Sequence, residues 1–273
     1  MVLFYDFGLY PRLKTFKNGT LSKVVNGGVP QAVDMEAHLR KASKDIQNVI
    51  PNKNFNGLAV IDWEAWLPLW MGNGKNRNIY KNYSEELVRK ACPGISREGA
   101  RRIAAMEYNN KSIEFFVRSL ELGRELRPQA KWRFYMYPKC GSTPCNQNAI
   151  KHNNAWRDIY QASAALYPSI YYPRYMKRSK AKVAEFGRHV NALLKESLRD
   201  AKKFSPAKPV YAYAKFAYHT KLKKPAFHTE KELCNTFKQA YDLGLSGVVL
   251  WSSSASDGHL PANSMEDSGV PEH

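Results

Sequence analysis

Asp62 and Glu64 close an early apolar run of the chain, Gly57-Leu-Ala-Val-Ile-Asp-Trp-Glu-Ala-Trp66. The stretch from Gly57 to Ile61 has no polar side chain, which predicts a strand buried on both faces. Positions i and i+2 of a strand point to one face, about 6.6 Å apart along it. Two carboxylates that close push their pKa values apart, so that one is ionised while the other keeps a proton near neutral pH. An acid/base pair needs that division of labour. The spacing falls between the separations usual for retaining and inverting glycoside hydrolysis, so it leaves the stereochemistry open. Trp63 and Trp66 are expected beside the pair, and aromatic surroundings suit a sugar. Strand-end carboxylates salt-bridged to arginine would have the same spacing; the tryptophans tilt the reading toward chemistry.

The elements that must position such a pair alternate along the chain. Short β-rich runs are read at 3–5, 57–61, 132–137, 169–171, 210–216 and 247–251. Met35, Leu39, Ala42, Ile46 and Val49 recur at helical spacing until Pro51. Ile113, Phe116, Val117 and Leu120 mark a long helix ending before Pro128, and Val183, Phe186, Val190, Leu193 and Leu198 mark another. Thr229-Glu-Lys-Glu232 reads as a capping box opening a helix that closes near Gly244. Six strands with crossovers long enough for helices imply parallel pairing, hence an α/β barrel or a doubly wound sheet. No Gly-x-Gly-x-x-Gly follows any strand, which disfavours a dinucleotide fold. In a barrel the chemistry sits at the C-terminal strand ends.

The 273 residues carry a net charge of +18. Between Arg174 and Lys224, 15 Lys and Arg face three acids, Glu185, Glu196 and Asp200. Such a field attracts a polyanion, whether nucleic acid, anionic membrane or acidic polysaccharide. The aromatic strands at 132–137 and 211–218 suit core packing and sugar stacking better than base stacking, so no nucleic-acid partner is expected. No apolar run approaches the ~20 residues of a transmembrane helix. Met1 is followed by no basic flank and no small-residue cleavage site, so no signal peptide is read in this chain. The seven histidines show no metal-ligand spacing, and neither a metal nor a cofactor is expected. Cys140 and Cys145 flank Gly-Ser-Thr-Pro and are placed to close a small loop, whereas Cys92 and Cys234 lie in helical patterns and are expected as free buried thiols. Glycosylation sequons stand at Asn18, Asn82 and Asn110.

The string from Gly57 to Trp66 resembles the signature of the hyaluronidase family of animal glycoside hydrolases. The resemblance continues through Phe4-Tyr5, Asn26-Gly-Gly-Val-Pro-Gln31, Leu122-Gly-Arg-Glu-Leu-Arg-Pro128, Trp132 to Cys140, Leu166-Tyr-Pro-Ser-Ile-Tyr171, Arg188 and Gly247-Val-Val-Leu-Trp251. It spans roughly residues 2 to 254. It implies a distorted TIM-like (β/α) barrel over 1–254 and cleavage of N-acetylhexosamine linkages in hyaluronan or chondroitin. The mechanism it implies is substrate-assisted and retaining. By the resemblance Glu64 is the proton donor and later the base, and Asp62 orients the acetamide whose carbonyl oxygen is the nucleophile. Tyr171 helps hold that acetamide and Trp251 lines its pocket, with Tyr5, Tyr213 and Arg188 along the substrate groove. The basic stretch then has a partner in the carboxylates of an anionic glycosaminoglycan.

The chain also departs from the pattern. Cys140-Gly141-Ser142 replaces the family's Cys-Tyr-Asn, the loop to Cys145 is short, and Leu67 stands where an arginine is usual. The family's first strand would precede Met1 and its last helix would follow Ser254, so the resemblance implies a truncated barrel, with 255–273 a disordered tail. A monomeric, secreted or lysosomal endoglycosidase is expected. The alternative is a catalytically inactive glycosaminoglycan-binding relative.

Overall fold

The computed structural model describes residues 1–172, 179–218 and 227–251. In chain order the elements are β1 (Val2–Phe4), β2 (Arg12–Thr15), β3 (Leu21–Val25), α1 (Met35–Val49), β4 (Leu58–Ile61), α2 (Asn78–Ala91), α3 (Arg97–Leu126), β5 (Lys131–Phe134), α4 (Gln147–Asn154), α5 (Arg157–Ala162), α6 (Lys180–Ala201) and β6 (Tyr211–Ala214). A helical run then passes through α7 (Glu230–Leu233), a π segment (Cys234–Lys238) and α8 (Gln239–Asp242) to β7 (Gly247–Leu250). Side-chain caps set several helix starts. Asp34 accepts from Ala37 N–H, Ser96 from Gly99 N–H and Ser179 from Lys182 N–H. The capping box at Thr229 and Glu232 is present as read.

Apart from β2 and β3, the strands pair in parallel and in sequence order. β1 lies beside β4 and β4 beside β5. The chain at 166–170 continues the series, through bridges from Pro168 to Met136, Leu166 to Val210 and Ser169 to Tyr213. β6 then pairs with β7. The strand expected at 169–171 is thus a line of bridges with no continuous ladder. Among the described residues no ladder joins β7 back to β1; the indole Nε1–H of Trp251 donates to the Tyr5 hydroxyl across that gap, 3.3 Å.

Three apolar layers result from this curl. Leu3, Leu58, Val60, Ala165, Tyr167, Tyr211, Tyr213 and Val249 pack together inside the strands. The opposite faces of β1, β4 and β5, with Phe4, Ala59, Ile61, Trp132 and Phe134, pack outward among α1, α2, α3 and α5 residues such as Ile46, Val88, Phe115 and Ile159. Ala212 and Ala214 face Phe186, Val190 and Leu194 of α6. Strands with one face to an inner core and the other to surrounding helices make a distorted (β/α) barrel wall. The antiparallel hairpin of β2 and β3, which the apolar pattern did not predict, is an addition to this wall. The expected tail at 255–273 lies outside the described residues.

Candidate active site

Period-two alternation carries the β4 register straight into the carboxylates. Leu58 and Val60 point inward and Ala59 and Ile61 outward. Asp62 continues the ladder, its N–H donating to the Phe4 carbonyl at 2.9 Å. Continuing the alternation, Asp62 falls on the inner side and Trp63 on the outer. Trp63 is therefore not beside the pair, as the sequence suggested. It stacks on Tyr10 at 4.2 Å and packs against Phe115 and Phe134 in the helix-facing core. Trp66 is fully buried there too, its Nε1–H donating to the Pro11 carbonyl at 2.7 Å. These indoles anchor the strand end from behind.

The aromatic groups of the mouth come instead from the other strands at equivalent inward positions. Tyr135 follows β5, Tyr171 follows the 166–170 segment, Tyr213 lies in β6 and Trp251 follows β7. Tyr135 and Tyr213 meet edge to face at 4.8 Å, Tyr135 and Tyr171 lie 6.4 Å apart, and Tyr171 and Trp251 6.2 Å apart. Tyr135 donates its hydroxyl proton to Ser169 Oγ at 3.0 Å. Tyr5 joins through Trp251. Burial, the largest cause in each case, holds the phenols of Tyr135, Tyr171 and Tyr213 well above the usual range. They stay neutral donors at any working pH.

Asp62 is the titrating group this setting disturbs. Burial, and then the charge of Glu64, push its carboxyl up to about 7. Its Oδ1 is buried with no hydrogen-bond partner. A buried acceptor is costly in a protein interior unless a donor meets it, so Oδ1 is available to a donor from outside the protein. Glu64 is held through its backbone: Arg77 Nε and Nη2 both donate to its carbonyl, at 3.2 and 2.8 Å. Lys139 supplies a second cation on that side. Burial and the nearby Arg77 lower its pKa to about 8, while Glu64 works against them.

Of the residues named from sequence, Asp62, Tyr5, Tyr171, Tyr213 and Trp251 come together, with Glu64 beside them on the same strand end. Arg188 does not join them; it is exposed on α6, and no contact links it to the cluster among the described residues. Leu67 is buried, and the guanidinium that reaches this loop is that of Arg77. Tyr135, Arg77, Lys139 and Lys215 were not singled out beforehand. Cys140 and Cys145 form a disulfide, Cα to Cα 5.2 Å. Gly141 between them faces open space. Cys92 and Cys234 are free thiols but exposed, against the expectation of burial: Cys92 lies just past the end of α2, and Cys234 falls on the solvent side of the helical run. Asn18, Asn82 and Asn110 are all exposed.

A family model described as hyaluronidase matches residues 1–263. The chain belongs to the hyaluronidase family. It is 33% identical over 264 residues to a chondroitin hydrolase of Caenorhabditis elegans, covering 94% of this chain and 57% of that protein. It is 35% identical over 266 residues to human hyaluronidase PH-20, covering 93% and 50%. The crystal structure of bee venom hyaluronidase in complex with a hyaluronic acid tetramer superposes with a TM-score of 0.84 at 28% identity, over 93% of this chain and 78% of that one. The chain thus spans little more than half the length of these curated relatives. As a hyaluronidase-family barrel it carries its carboxylates at the strand ends, where the parallel register leads.

Proposed function

We propose that this chain is an endoglycosidase that cleaves N-acetylhexosamine linkages of hyaluronan or chondroitin. The observation that carries the reading is Asp62 with its orphaned, buried Oδ1, two residues from Glu64 and ringed by Tyr135, Tyr171, Tyr213 and Trp251. Glu64 protonates the glycosidic oxygen while the substrate's own acetamide oxygen attacks the anomeric carbon from the opposite face. The bond to the leaving sugar breaks as a ring closes through that oxygen. Asp62 accepts the acetamide N–H, which steers the carbonyl to the anomeric carbon, and Tyr171 donates to the carbonyl. Glu64, now a carboxylate, takes a proton from the water that reopens the ring. Two inversions leave the configuration retained. Arg77 fixes the backbone of the donor, and the aromatic ring stacks the sugar. The basic surface draws the anionic polymer toward the mouth.

A second reading, an inactive glycosaminoglycan-binding relative, is favoured by one observation: Gly141 leaves open space where the family carries a tyrosine. Release of reducing ends from hyaluronan and chondroitin separates the two. Release by wild type that is lost in Asp62→Asn supports the glycosidase. Binding without release supports the relative, and Gly141→Tyr is then the change expected to restore turnover, since nothing obstructs a side chain there. An oxidising compartment fits the Cys140–Cys145 bridge and the exposed sequons, so we place the protein in the secretory route. No helix among the described residues is long and apolar enough to cross a membrane.

A further inference from the structure

Two cations, Lys139 and Arg77, flank Glu64 from different elements. The chain beyond β5 runs beside the chain beyond β4: Phe134 is in register with Ile61, and Tyr135 N–H donates to the Ile61 carbonyl at 3.0 Å. Glu64 stands three residues past Ile61 and Lys139 five past Phe134, so both lie beyond adjoining strand ends. Asn153 of α4 fixes the Lys139 backbone. Its Oδ1 accepts the Lys139 N–H at 3.2 Å, and its Nδ2 donates to the Lys139 carbonyl at 2.7 Å. The Cys140–Cys145 bridge holds the next residue. The Lys139 ammonium lies 4.9 Å from the ring centroid of Tyr137, which stacks on Trp156 at 3.6 Å. A ring face positions a cation without neutralising it. Arg77 commits Nε and Nη2 to the Glu64 carbonyl, an uncharged acceptor. Neither cation forms an ion pair among the described residues. The mouth is electrostatically divided: Tyr171 and Tyr213 feel the charge of Asp62, whereas Lys139 feels those of Arg77 and Glu64. His152 adds no charge there near neutral pH, because burial and then Lys139 push its imidazole down.

We propose that Lys139 and Arg77 form a subsite for the carboxylate of the hexuronate that departs on the Glu64 side of the cleaved bond. The inference rests on the glycosidase reading of this mouth. Asp62, Tyr171 and Trp251 take the N-acetyl sugar, and Glu64 gives its proton to the oxygen that leaves. In a polymer alternating N-acetylhexosamine with hexuronate, the sugar carrying that oxygen is the hexuronate, so its carboxylate arrives beside Glu64. Glu64 as proton donor is uncharged, which leaves two like charges near one another until an anion joins them and offsets their repulsion. A guanidinium has five N–H donors, so Arg77 keeps others for a carboxylate after two are committed. Lys139 adds a compact charge that needs no fixed bidentate geometry. The pair therefore selects acidic over neutral polymers at the leaving sugar itself, apart from the long-range field of the basic surface.

The test is calorimetric binding to the Glu64→Gln protein, which prevents cleavage during the titration. The ligands are a hyaluronan oligosaccharide and its carboxyl-reduced, uncharged counterpart; neither carries a sulfate, so the hexuronate charge alone is read. The acidic ligand is expected to bind about tenfold or more tightly than the neutral one. Adding Lys139→Met is expected to erase most of that difference by weakening the acidic ligand alone, and Lys139→Arg to keep most of it. Unchanged affinity for the neutral ligand shows that the mouth is intact in each variant. Equal weakening of both ligands by Lys139→Met would show that Lys139 only supports the loop, and no change in either would remove it from binding; both results overturn the subsite. Reducing-end release by the wild-type chain is scored separately. Selectivity that depends on Lys139 without release keeps the subsite and defeats the glycosidase reading, and release with selectivity indifferent to Lys139 does the reverse.

Discussion

Asp62 carries its proton to unusually high pH because its environment penalises the charge, and this has two measurable consequences. With a folded pKa of about 7 against an unfolded value near 3.8, the folded state holds the proton through that whole interval. The stabilisation is complete below the unfolded value and is lost as pH rises through about 7. Asp62→Asn, which cannot ionise, should therefore raise the urea midpoint more at pH 8 than at pH 4; an equal change at both would contradict a buried, protonated Asp62. Asp62 also accepts the acetamide N–H better once ionised, so its titration should appear as an inflection near pH 7 in the pH–rate profile of the wild-type chain. The pair itself was legible in the sequence, since a strand ending in Asp-x-Glu places both on one face. Of the ring around it, Tyr171, Tyr213 and Trp251 were legible only through the family resemblance, and Tyr135 was not legible at all. Trp63 was close in sequence, but the residue between i and i+2 faces the other way, and the true neighbours Tyr135, Tyr171 and Tyr213 arrive from strands tens of residues apart.

The elements place the site through close contacts of helix on strand. Gly123 of α3 lies against Trp132 of β5, where a Cβ would meet the indole at 2.6 Å. Trp132 is fully buried and its Nε1–H is tied to the Arg127 carbonyl, so it has nowhere to move. Gly123→Ala gains at most about 1 kcal/mol of helix propensity, while overpacking costs about 1–3 kcal/mol. A lower urea midpoint is expected, with Gly141→Ala, in open space, as the unchanged control; equal midpoints would mean that α3 slides freely on the sheet. The helices were readable because their apolar period and caps are strong and local. The hairpin of β2 and β3 was missed because its strands are mostly exposed and show little apolar alternation. Its signal was Asn18-Gly19, a turn dipeptide with Gly19 at φ +82°, which sat inside a sequon. The segment at 166–170 holds Pro168, which lacks the donor a full ladder needs.

At the scale of the whole molecule, the excess charge is uneven in a way the fold sharpens. On α6 and just past its end the acids Glu196 and Asp200 are buried and paired with Arg199 and Lys203, and Lys182 pairs with Glu185 at the surface, whereas Lys180, Arg188, Lys195 and Lys202 are exposed. These pairs cancel, so the net excess equals the sequence count, and it is carried by the exposed lysines and Arg188. Association with hyaluronan should slow between low and physiological salt, where the screening length is about 8 Å. Lys195→Glu with Lys202→Glu should reduce both the rate and its salt dependence, measured by surface-bound polymer; a rate indifferent to salt would contradict electrostatic capture. The central claim, however, is that a proton from Glu64 cleaves the polymer. The most direct measurement compares reducing-end release and hyaluronan binding in wild type and Glu64→Gln. The amide keeps the shape and cannot give up a proton, so turnover should fall by ~10² or more while binding survives. Glu64→Gln that releases reducing ends as fast as wild type would contradict the account.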